Sequence, residues 1–122
     1  MWNVTTANLK FFKGANKVYP LTFTEDEAVV DITNWVVLFT VKAKMDDSDA
    51  EASISHDIGI NKDYEHTNPT AGESAISLGA VDTNLTPGNY YYDITIKKDA
   101  GDVVPIVGGI LTVIQRVTLR NT

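Results

Sequence analysis

Apolar and polar residues alternate along much of the chain. Over residues 89–98 the aromatic and aliphatic positions lie two apart, at Tyr90, Tyr92, Ile94 and Ile96. Residues 35–43 repeat this spacing with Trp35, Val37, Phe39, Val41 and Ala43. A period of two places successive side chains on opposite faces of a β-strand. The pattern therefore predicts two strands, each with one face in the core and the other in solvent.

Five further runs with weaker alternation complete the predicted set of strands: residues 8–13, 18–24, 53–58, 74–78 and 103–113. No stretch sustains the 3.6-residue period of an amphipathic helix. Seven short strands separated by turn residues are typical of an immunoglobulin-like antiparallel β-sandwich with Greek-key connections. We expect one such all-β domain to span residues 1–122.

Two glycine-containing segments bear on how the last strands are connected and shaped. Gly101 lies between residues 89–98 and residues 103–113, and we expect it to take the positive-φ position of a tight hairpin. The pair Gly108-Gly109 interrupts the last predicted strand. Because glycine inside a strand often marks a β-bulge, we expect a bulge at this pair.

The most specific local signal is the segment LTPGNY at residues 85–90. Leu85, the Pro87-Gly88 turn and Tyr90 have the spacing of a tyrosine corner, in which a tyrosine hydroxyl bonds an upstream backbone group. An ordinary type II turn before the strand is the alternative. Trp35 lies on the third strand, where immunoglobulin-like domains bury a tryptophan, so we expect it in the core.

The composition is that of an ordinary globular domain, with 43% hydrophobic and 21% charged residues. Cysteine is absent, which excludes disulfides and thiolate chemistry. The N-terminus lacks the basic and apolar regions of a secretion signal, and the longest apolar run is too short for a membrane helix. We expect synthesis in the cytoplasm and no membrane contact.

Charge is distributed unevenly along the chain. The net charge of −6 argues against nucleic-acid binding, which depends on clustered lysine and arginine. Residues 1–17 carry three lysines and no acid, whereas residues 24–66 carry eleven acids and three lysines. One interpretation is head-to-tail complementarity between neighbouring copies or partners. The alternative is a solvated surface that keeps the protein in solution.

The sequence contains no motif typical of catalysis. Nucleophilic catalysis needs a nucleophile beside an oriented base, and no segment matches such an arrangement. His56, on a predicted edge strand, and His66, in a polar loop, are expected to be surface residues. The acidic run at residues 46–51 lacks the spacing and turn glycine of an EF-hand, so we expect a solvated loop. We expect no enzymatic activity, no metal and no cofactor.

The residues expected to contact a partner are aromatic or basic positions: Trp2, Lys10, Phe12, Tyr64, His66 and Tyr91. Exposed tryptophan and tyrosine are enriched at protein interfaces. The connection at residues 60–73 is unusually long, which favours a partner-binding loop with Tyr64 as its anchor. Residues 1–7 are expected to form a segment that docks on a partner. The alternative is that these aromatic residues only cover the edge of the core.

Several pieces of the chain, taken together, carry a family resemblance: VDITNW at 30–35, FTVK at 39–42, LTPGNYYYDI at 85–94, GILTV at 109–113 and VT at 117–118. They resemble the N-terminal domain of tailed-phage upper baseplate proteins, over roughly residues 8–118. The resemblance implies a β-sandwich that docks on the tail baseplate and carries downstream segments leading to receptor-binding parts, without catalysis. Only residues 119–122 follow the last piece, so we expect a stand-alone adaptor that recruits a separate chain.

The leading hypothesis is therefore a virion structural protein, a tail or baseplate adaptor in a multicopy assembly or homo-oligomer with other virion proteins. A carbohydrate-binding module for host-surface glycans is an alternative from a different class, with sugar rings stacked on Trp2, Tyr64 and Tyr91. Capsid decoration by the same fold is a third hypothesis, and only its location in the virion separates it from the first.

Overall fold

The computed structural model describes residues 5–6, 8–98 and 101–117. The strands in these ranges are β1 (Thr5–Thr6), β2 (Leu9–Phe12), β3 (Lys17–Thr22), β4 (Thr24–Glu25), β5 (Ala28–Val29), β6 (Val36–Lys42), β7 (Ile54–Ile58), β8 (Glu73–Leu78), β9 (Gly88–Lys97) and β10 (Val103–Ile114). Two 3₁₀ turns cover Asp49–Glu51 and Pro69–Ala71. The seven predicted strands are β2, β3 and β6 to β10, so their existence and order are confirmed. No helix in the described ranges is long and apolar enough to cross a membrane.

The larger sheet is built around β10. Both β1 and β2 pair with β10 in parallel on one side, and β9 pairs with it antiparallel on the other. The sheet continues through β6 to β7, again with antiparallel pairings. β2 and β7 therefore lie at opposite edges of this sheet. They also run in opposite directions, because three antiparallel pairings separate β10 from β7.

The smaller sheet is the antiparallel pair of β3 and β8. Its inward side chains, such as Ile76 and Leu78, join one hydrophobic cluster with Phe39, Ile96 and Leu111 of the larger sheet. Along the chain, β6 and β7 intervene between β3 and β8 but belong to the opposite sheet. This crossing is the Greek-key arrangement of immunoglobulin-like sandwiches. The protein is an all-β domain of that class.

Two predicted structural features occur in the sandwich as expected. The Tyr90 hydroxyl donates a 2.6 Å hydrogen bond to the Thr86 carbonyl oxygen, which is the tyrosine corner. Gly88 begins β9 with a positive φ of 146°, and Leu85 packs against the core. Trp35 is buried directly before β6, with its ring edge-on to Phe23 at 5.9 Å between centroids. Pro87 is exposed in the turn.

The predicted alternation holds along β6 and β9, but it ends earlier than expected in β6. Val37, Phe39 and Val41 of β6 and Ile96 of β9 are fully buried, and Ile94 of β9 is 4% exposed. Ala43, which was expected to point inward, is exposed because β6 ends at Lys42. The chain bends there to enter the acidic connection to β7.

The hairpin between β9 and β10 forms as predicted, but the bulge lies elsewhere. Gly101 has a φ of 85°, and the Lys98 N–H donates to the Asp102 carbonyl across the hairpin. The register shifts between Pro105 and Val107, whereas Gly108 and Gly109 pair regularly with β9. The prediction of a bulge at the glycine pair is therefore wrong by two residues.

Three short strands were not predicted from the sequence. β4 and β5 form a small hairpin whose two turn residues, Asp26 and Glu27, both have positive φ. Consecutive positive-φ residues are typical of the type I′ turn, which matches the twist of paired strands. The usual asparagine and glycine are missing from this turn, so the sequence did not signal the hairpin. β1, the third of these strands, extends the pairing along β10.

The long connection at residues 60–73 packs closely on the domain in its second half. Gly72 is buried with a φ of 73°, and a Cβ added there would lie 2.6 Å from the Phe23 carbonyl oxygen. The Phe23 N–H donates to the Gly72 carbonyl, and the Ile32 N–H donates to that of Pro69. This half of the loop is thus tied to the segments around β4 and β5.

Candidate functional site

The outer face of the larger sheet brings three of the predicted contact residues together. Lys10 and Phe12 of β2 pair in register with Thr112 and Ile114 of β10, and paired residues project from the same face. Ile110 of the same β10 face pairs with Tyr91 of β9. Lys10, Phe12 and Tyr91 therefore share the face that is turned away from the core.

This outer face carries several exposed apolar side chains. Phe12 is 52% exposed, Tyr91 40% and Val103 59%. Leu38, Ile110 and Ile114 are half-buried on the same face. Ile114 lies beside Phe12 and Ile110 beside Tyr91, so these two rings are joined by apolar residues of β10, whereas Val103 lies at the other end of that strand. Adjoining exposed apolar side chains mark interaction surfaces. The face is consequently the first candidate for binding.

The charge asymmetry of the sequence becomes an asymmetry between the two edges of this sheet. Lys10 on β2 and Lys17 on β3 lie close together, because Tyr19 donates a hydrogen bond to the Lys10 carbonyl and stacks under the Lys17 ammonium. The opposite edge carries Asp57 on β7 and the acidic connection at residues 46–51. One edge is thus basic and the other acidic.

The acidic connection is held by contacts of its own. Glu51 accepts hydrogen bonds from the Ser48 backbone N–H and from the Ser48 hydroxyl, and both lower the pKa of its carboxyl. Asp49 lies 2.8 Å from the Lys42 ammonium. Among the described residues no group of three or more histidine, cysteine, aspartate or glutamate side chains is arranged to hold a metal ion. The run is therefore an ordered acidic surface.

Tyr64 and His66 lie apart from the outer face. Tyr64 forms an isolated bridge to Ile58 at the end of β7, and its ring stands edge-on to His56 at 4.9 Å. Tyr64 is 37% exposed, so it remains accessible at the acidic edge. Trp2 and most of the predicted docking segment at residues 1–7 lie outside the described residues.

Both histidines are partly buried and make contacts within the domain, so they are less accessible than the sequence led us to expect. The His66 ring lies between the sheets, with Nε2 at 2.8 Å from the Trp35 carbonyl oxygen and Nδ1 at 2.9 Å from the Ser74 hydroxyl. Both ring nitrogens are thus used inside the domain, which corrects the prediction of His66 as a partner contact. The sequence held no signal for this because Trp35 and His66 are 31 residues apart.

The contact between Ser74 and His66 is a serine–histidine pair, yet its surroundings do not suit catalysis. Ser74 is only 2% exposed, so its hydroxyl does not reach a substrate in solvent. The second nitrogen of His66 faces a backbone carbonyl, where a catalytic triad has a carboxylate. The pair is therefore a buried polar link between β8 and the start of β6.

His56 points inward from β7 toward Asp82. Its Nε2 lies 3.1 Å from the Asp82 carboxylate, but the two atoms are poorly aligned, and Nε2 is buried without a hydrogen bond of good geometry. Asp82 accepts instead a 3.0 Å hydrogen bond from the Gly79 N–H. The His56 ring and the Asp82 carboxylate are therefore close to each other but do not form a hydrogen-bonded ion pair.

The outer face also contains a shallow hollow of about 510 Å³. Tyr91, Asp93 and Thr95 of β9 line it, together with Leu38, Thr40 and Lys42 of β6, Gly108 and Gly109 of β10, and Met45, Asp49 and Val103. Burial raises the pKa of the Asp93 carboxyl, and Lys42 partly opposes this shift. The hollow thus combines an aromatic ring, aliphatic side chains, hydroxyls and a carboxylate.

Comparisons with known proteins give one distant structural likeness. No protein-family model and no curated protein sequence matches the chain. One solved structure similar to it contains parallel homodimers of the extracellular domains of the voltage-gated sodium channel beta4 subunit, described as explaining that subunit's role in cell–cell adhesion. The match covers 96% of this chain and 98% of that chain, with 12% identity and a TM-score of 0.44. At this similarity it carries no information on function.

Proposed function

We propose that the protein is a structural subunit of a tailed-phage virion, a tail or baseplate adaptor that links neighbouring subunits. The resemblance to upper baseplate N-terminal domains supports this role, because its segments supply β6, β9, β10 and the tyrosine corner of the sandwich. The role requires protein contacts and no catalysis. The exposed apolar outer face suits such contacts.

The observation that carries the proposal is the placement of opposite charges at opposite edges of one sheet. Lys10 lies on β2 at one edge, and residues 46–51 lie beside β7 at the other. A surface with complementary but different edges favours head-to-tail contact between copies, which closes into rings or extends into helical arrays. Rings and tubes of repeated subunits are the architecture that such an adaptor needs.

The register places the two charged groups at the same end of the sheet. Lys10 pairs with Thr112, which pairs with Asn89. Lys42, the last residue of β6 before the chain turns toward the acidic connection, pairs with Tyr91. A second copy placed beside the first would therefore bring its acidic connection close to Lys10. The meeting strands, β2 and β7, would run antiparallel.

Side chains are expected to dominate this contact more than backbone pairing. The Lys10 carbonyl already accepts the Tyr19 hydroxyl at 2.9 Å, and Ile58 at the end of β7 is bridged by Tyr64. Full addition of a strand at either edge would have to displace these contacts. Electrostatic attraction, with Phe12 as an apolar contact, does not require that displacement.

The location in the virion tests the proposed role directly. Purified virions that contain this chain should be labelled with an antibody to it and imaged by electron microscopy. Label at the tail tip is the expected result. Label over the capsid would move the same domain to a decorating role and overturn the adaptor assignment, and absence from virions would overturn the virion role.

Exchange of charge tests the proposed contact. Sedimentation at low salt should show Lys10→Glu and Asp46→Lys each weakening self-association, and a mixture of the two variants should associate again through the reversed pair. High salt should weaken association of the unchanged protein, since surface charges are screened within about 10 Å at 0.1 M. Lys97→Glu, which makes the same charge change on the central strand β9 at the end of the sheet away from Lys10, is the control. Equal loss in the control, or a monomeric unchanged protein, would contradict the head-to-tail contact.

A further inference from the structure

The structure leaves Gly108 without a structural reason to be glycine. It lies within a regular stretch of β10, paired with Asp93, and the bulge of this strand falls before it. Its φ is not in the positive range, and an added Cβ would meet only the Tyr92 carbonyl oxygen, at an ordinary 3.7 Å. Glycine inside a strand costs stability relative to residues with a side chain. Another cause is needed for its presence here.

The consequence of glycine at this position is the hollow itself. Gly108 pairs with Asp93, so a side chain at residue 108 would project from the outer face. There it would enter the hollow that Tyr91, Asp93 and Val103 also line. Glycine in a strand often marks a place where a ligand approaches the backbone closely. The absence of a side chain keeps this space open.

The lining is suited to a ligand with one apolar face and a polar rim. Tyr91, Leu38 and Val103 offer an aromatic ring and aliphatic surface. Thr40 and Thr95 supply hydroxyls that both donate and accept, and the Asp93 carboxylate accepts hydrogen bonds from neighbouring hydroxyl groups. A pyranose ring has this division, with C–H groups on its faces and hydroxyls around its edge. The volume of about 510 Å³ lies within the usual range for small-ligand sites.

The charges in the hollow favour a neutral sugar over an acidic one. The Lys42 ammonium lies 2.8 Å from Asp49 and is balanced by it. Asp93 then leaves a net negative charge in the hollow. A carboxylate on the ligand would be repelled by this charge, whereas a hydroxyl would donate a hydrogen bond to it.

We infer that the hollow formed by Gly108, Tyr91 and Asp93 is a binding site for a neutral hexopyranose residue. This inference goes beyond the proposed assembly role and does not depend on it, because it is argued from Gly108, Tyr91 and Asp93, and the hollow shares only Asp49 with the acidic connection. Tyr91 stacks against the sugar ring, and Asp93 accepts hydrogen bonds from the sugar hydroxyls. Because Gly108 has no side chain, the ring can approach the backbone of β10 closely.

Titration of the ¹⁵N-labelled protein with simple sugars, followed by two-dimensional NMR, tests the inference. The probes are methyl β-D-glucopyranoside, methyl β-D-galactopyranoside and methyl α-D-mannopyranoside, each to about 50 mM, because few polar contacts in a shallow site predict dissociation constants near 1 mM. At least one sugar should shift the amide signals of Gly108, Asp93 and Thr40 in a saturable way. No saturable shift with any of them, or shifts confined to the region of Tyr64, would overturn the inference.

Variants with matched controls separate a site from weak surface association. Gly108→Val fills the hollow and Tyr91→Ala removes the stacking ring, and each should weaken binding by at least about tenfold. Gly79→Ala and Tyr64→Ala change the same residue types elsewhere and should leave binding unchanged. The pattern of amide signals of each variant reports whether it is folded. Unaltered binding by folded Gly108→Val or Tyr91→Ala would overturn the inference, and the second variant decides the question should the first not fold.

Discussion

His66 Nδ1 lies 2.9 Å from the hydroxyl oxygen of Ser74, in the space between the two sheets. The other ring nitrogen, Nε2, must donate to the Trp35 carbonyl, because a carbonyl oxygen only accepts. In the neutral ring Nδ1 is then the acceptor for the Ser74 hydroxyl. One side chain from the long loop thus joins β8 of the smaller sheet to the start of β6 in the larger one.

Loss of this link should destabilise the domain. His66→Ala removes both hydrogen bonds and leaves the buried Ser74 hydroxyl without its imidazole partner, which costs about 1–3 kcal/mol. Urea unfolding of the single variants and of His66→Ala with Ser74→Ala measures the coupling between the two side chains. Additive effects of the two substitutions would show that the contact contributes nothing to stability.

The tyrosine corner should contribute measurably through its hydroxyl alone. Tyr90→Phe keeps the ring and removes the hydrogen bond to the Thr86 carbonyl, so unfolding should require about 1 kcal/mol less. Tyr91→Phe is the matched control, since the neighbouring ring lies on the exposed outer face. A loss in the control as large as that in Tyr90→Phe would contradict a specific role for the corner.

Gly72 should tolerate no side chain. Its φ of 73° favours glycine, and a Cβ would lie 2.6 Å from the Phe23 carbonyl oxygen and 2.8 Å from that of Val30. Gly72→Ala should therefore lower stability by about 3 kcal/mol or more, since strain and a backbone clash combine. Gly79→Ala, where no atom lies within 4 Å of the added Cβ, should be close to neutral. Thermal unfolding of both variants provides the comparison.

The hairpin of β4 and β5 offers a substitution that should stabilise the protein. Glu27 has a φ of 69°, which costs a residue with a side chain about 1 kcal/mol. Glu27→Gly should therefore raise the melting temperature, because glycine is preferred at this position of a type I′ turn. Glu25→Gly, two residues earlier within β4, should lower it. The reverse order of the two melting temperatures would contradict the turn assignment.

Two aspartates should respond to pH in opposite directions. Burial raises the pKa of Asp93, so the folded state binds its proton more tightly, and the ionised carboxylate opposes folding at neutral pH. Asp93→Asn should raise the melting temperature at neutral pH, with a gain that shrinks as pH falls through the raised pKa. Hydrogen bonds from Thr33 lower the pKa of Asp31, so its contribution is present at neutral pH and is lost in acid.

Asp31→Asn is accordingly the counterpart of Asp93→Asn. It should lower the melting temperature at neutral pH and have little effect in acid, where the carboxyl of the unchanged protein is protonated in both states. Calorimetry of both variants at neutral and acidic pH measures the two slopes. A change in melting temperature of the same sign for both variants at neutral pH would contradict the raised pKa of Asp93 and the lowered pKa of Asp31.

The seven main strands, their order and the tyrosine corner could all be predicted from the pattern of residues along the chain. Each of these follows from interactions close in the chain: the two-residue period that separates buried from exposed side chains, and a hydrogen bond that spans only four residues, from Tyr90 to Thr86. Patterns of this kind are visible in a single sequence because the residues that cooperate are neighbours.

The contacts between residues far apart in the chain could not be predicted in this way and are seen in the folded domain alone. The pairing of β2 with β10 and of β10 with β9 brought Phe12 and Tyr91 to one face, and it set the basic and acidic segments at opposite edges. The pairing of β9 with β10 also placed the bulge between Pro105 and Val107 and left Gly108 at the opening of a hollow. The approach of β8 to the start of β6 brought Ser74 and Trp35 within hydrogen-bonding distance of His66. These features depend on register and on packing between sheets, which join residues far apart in the chain and leave no local pattern.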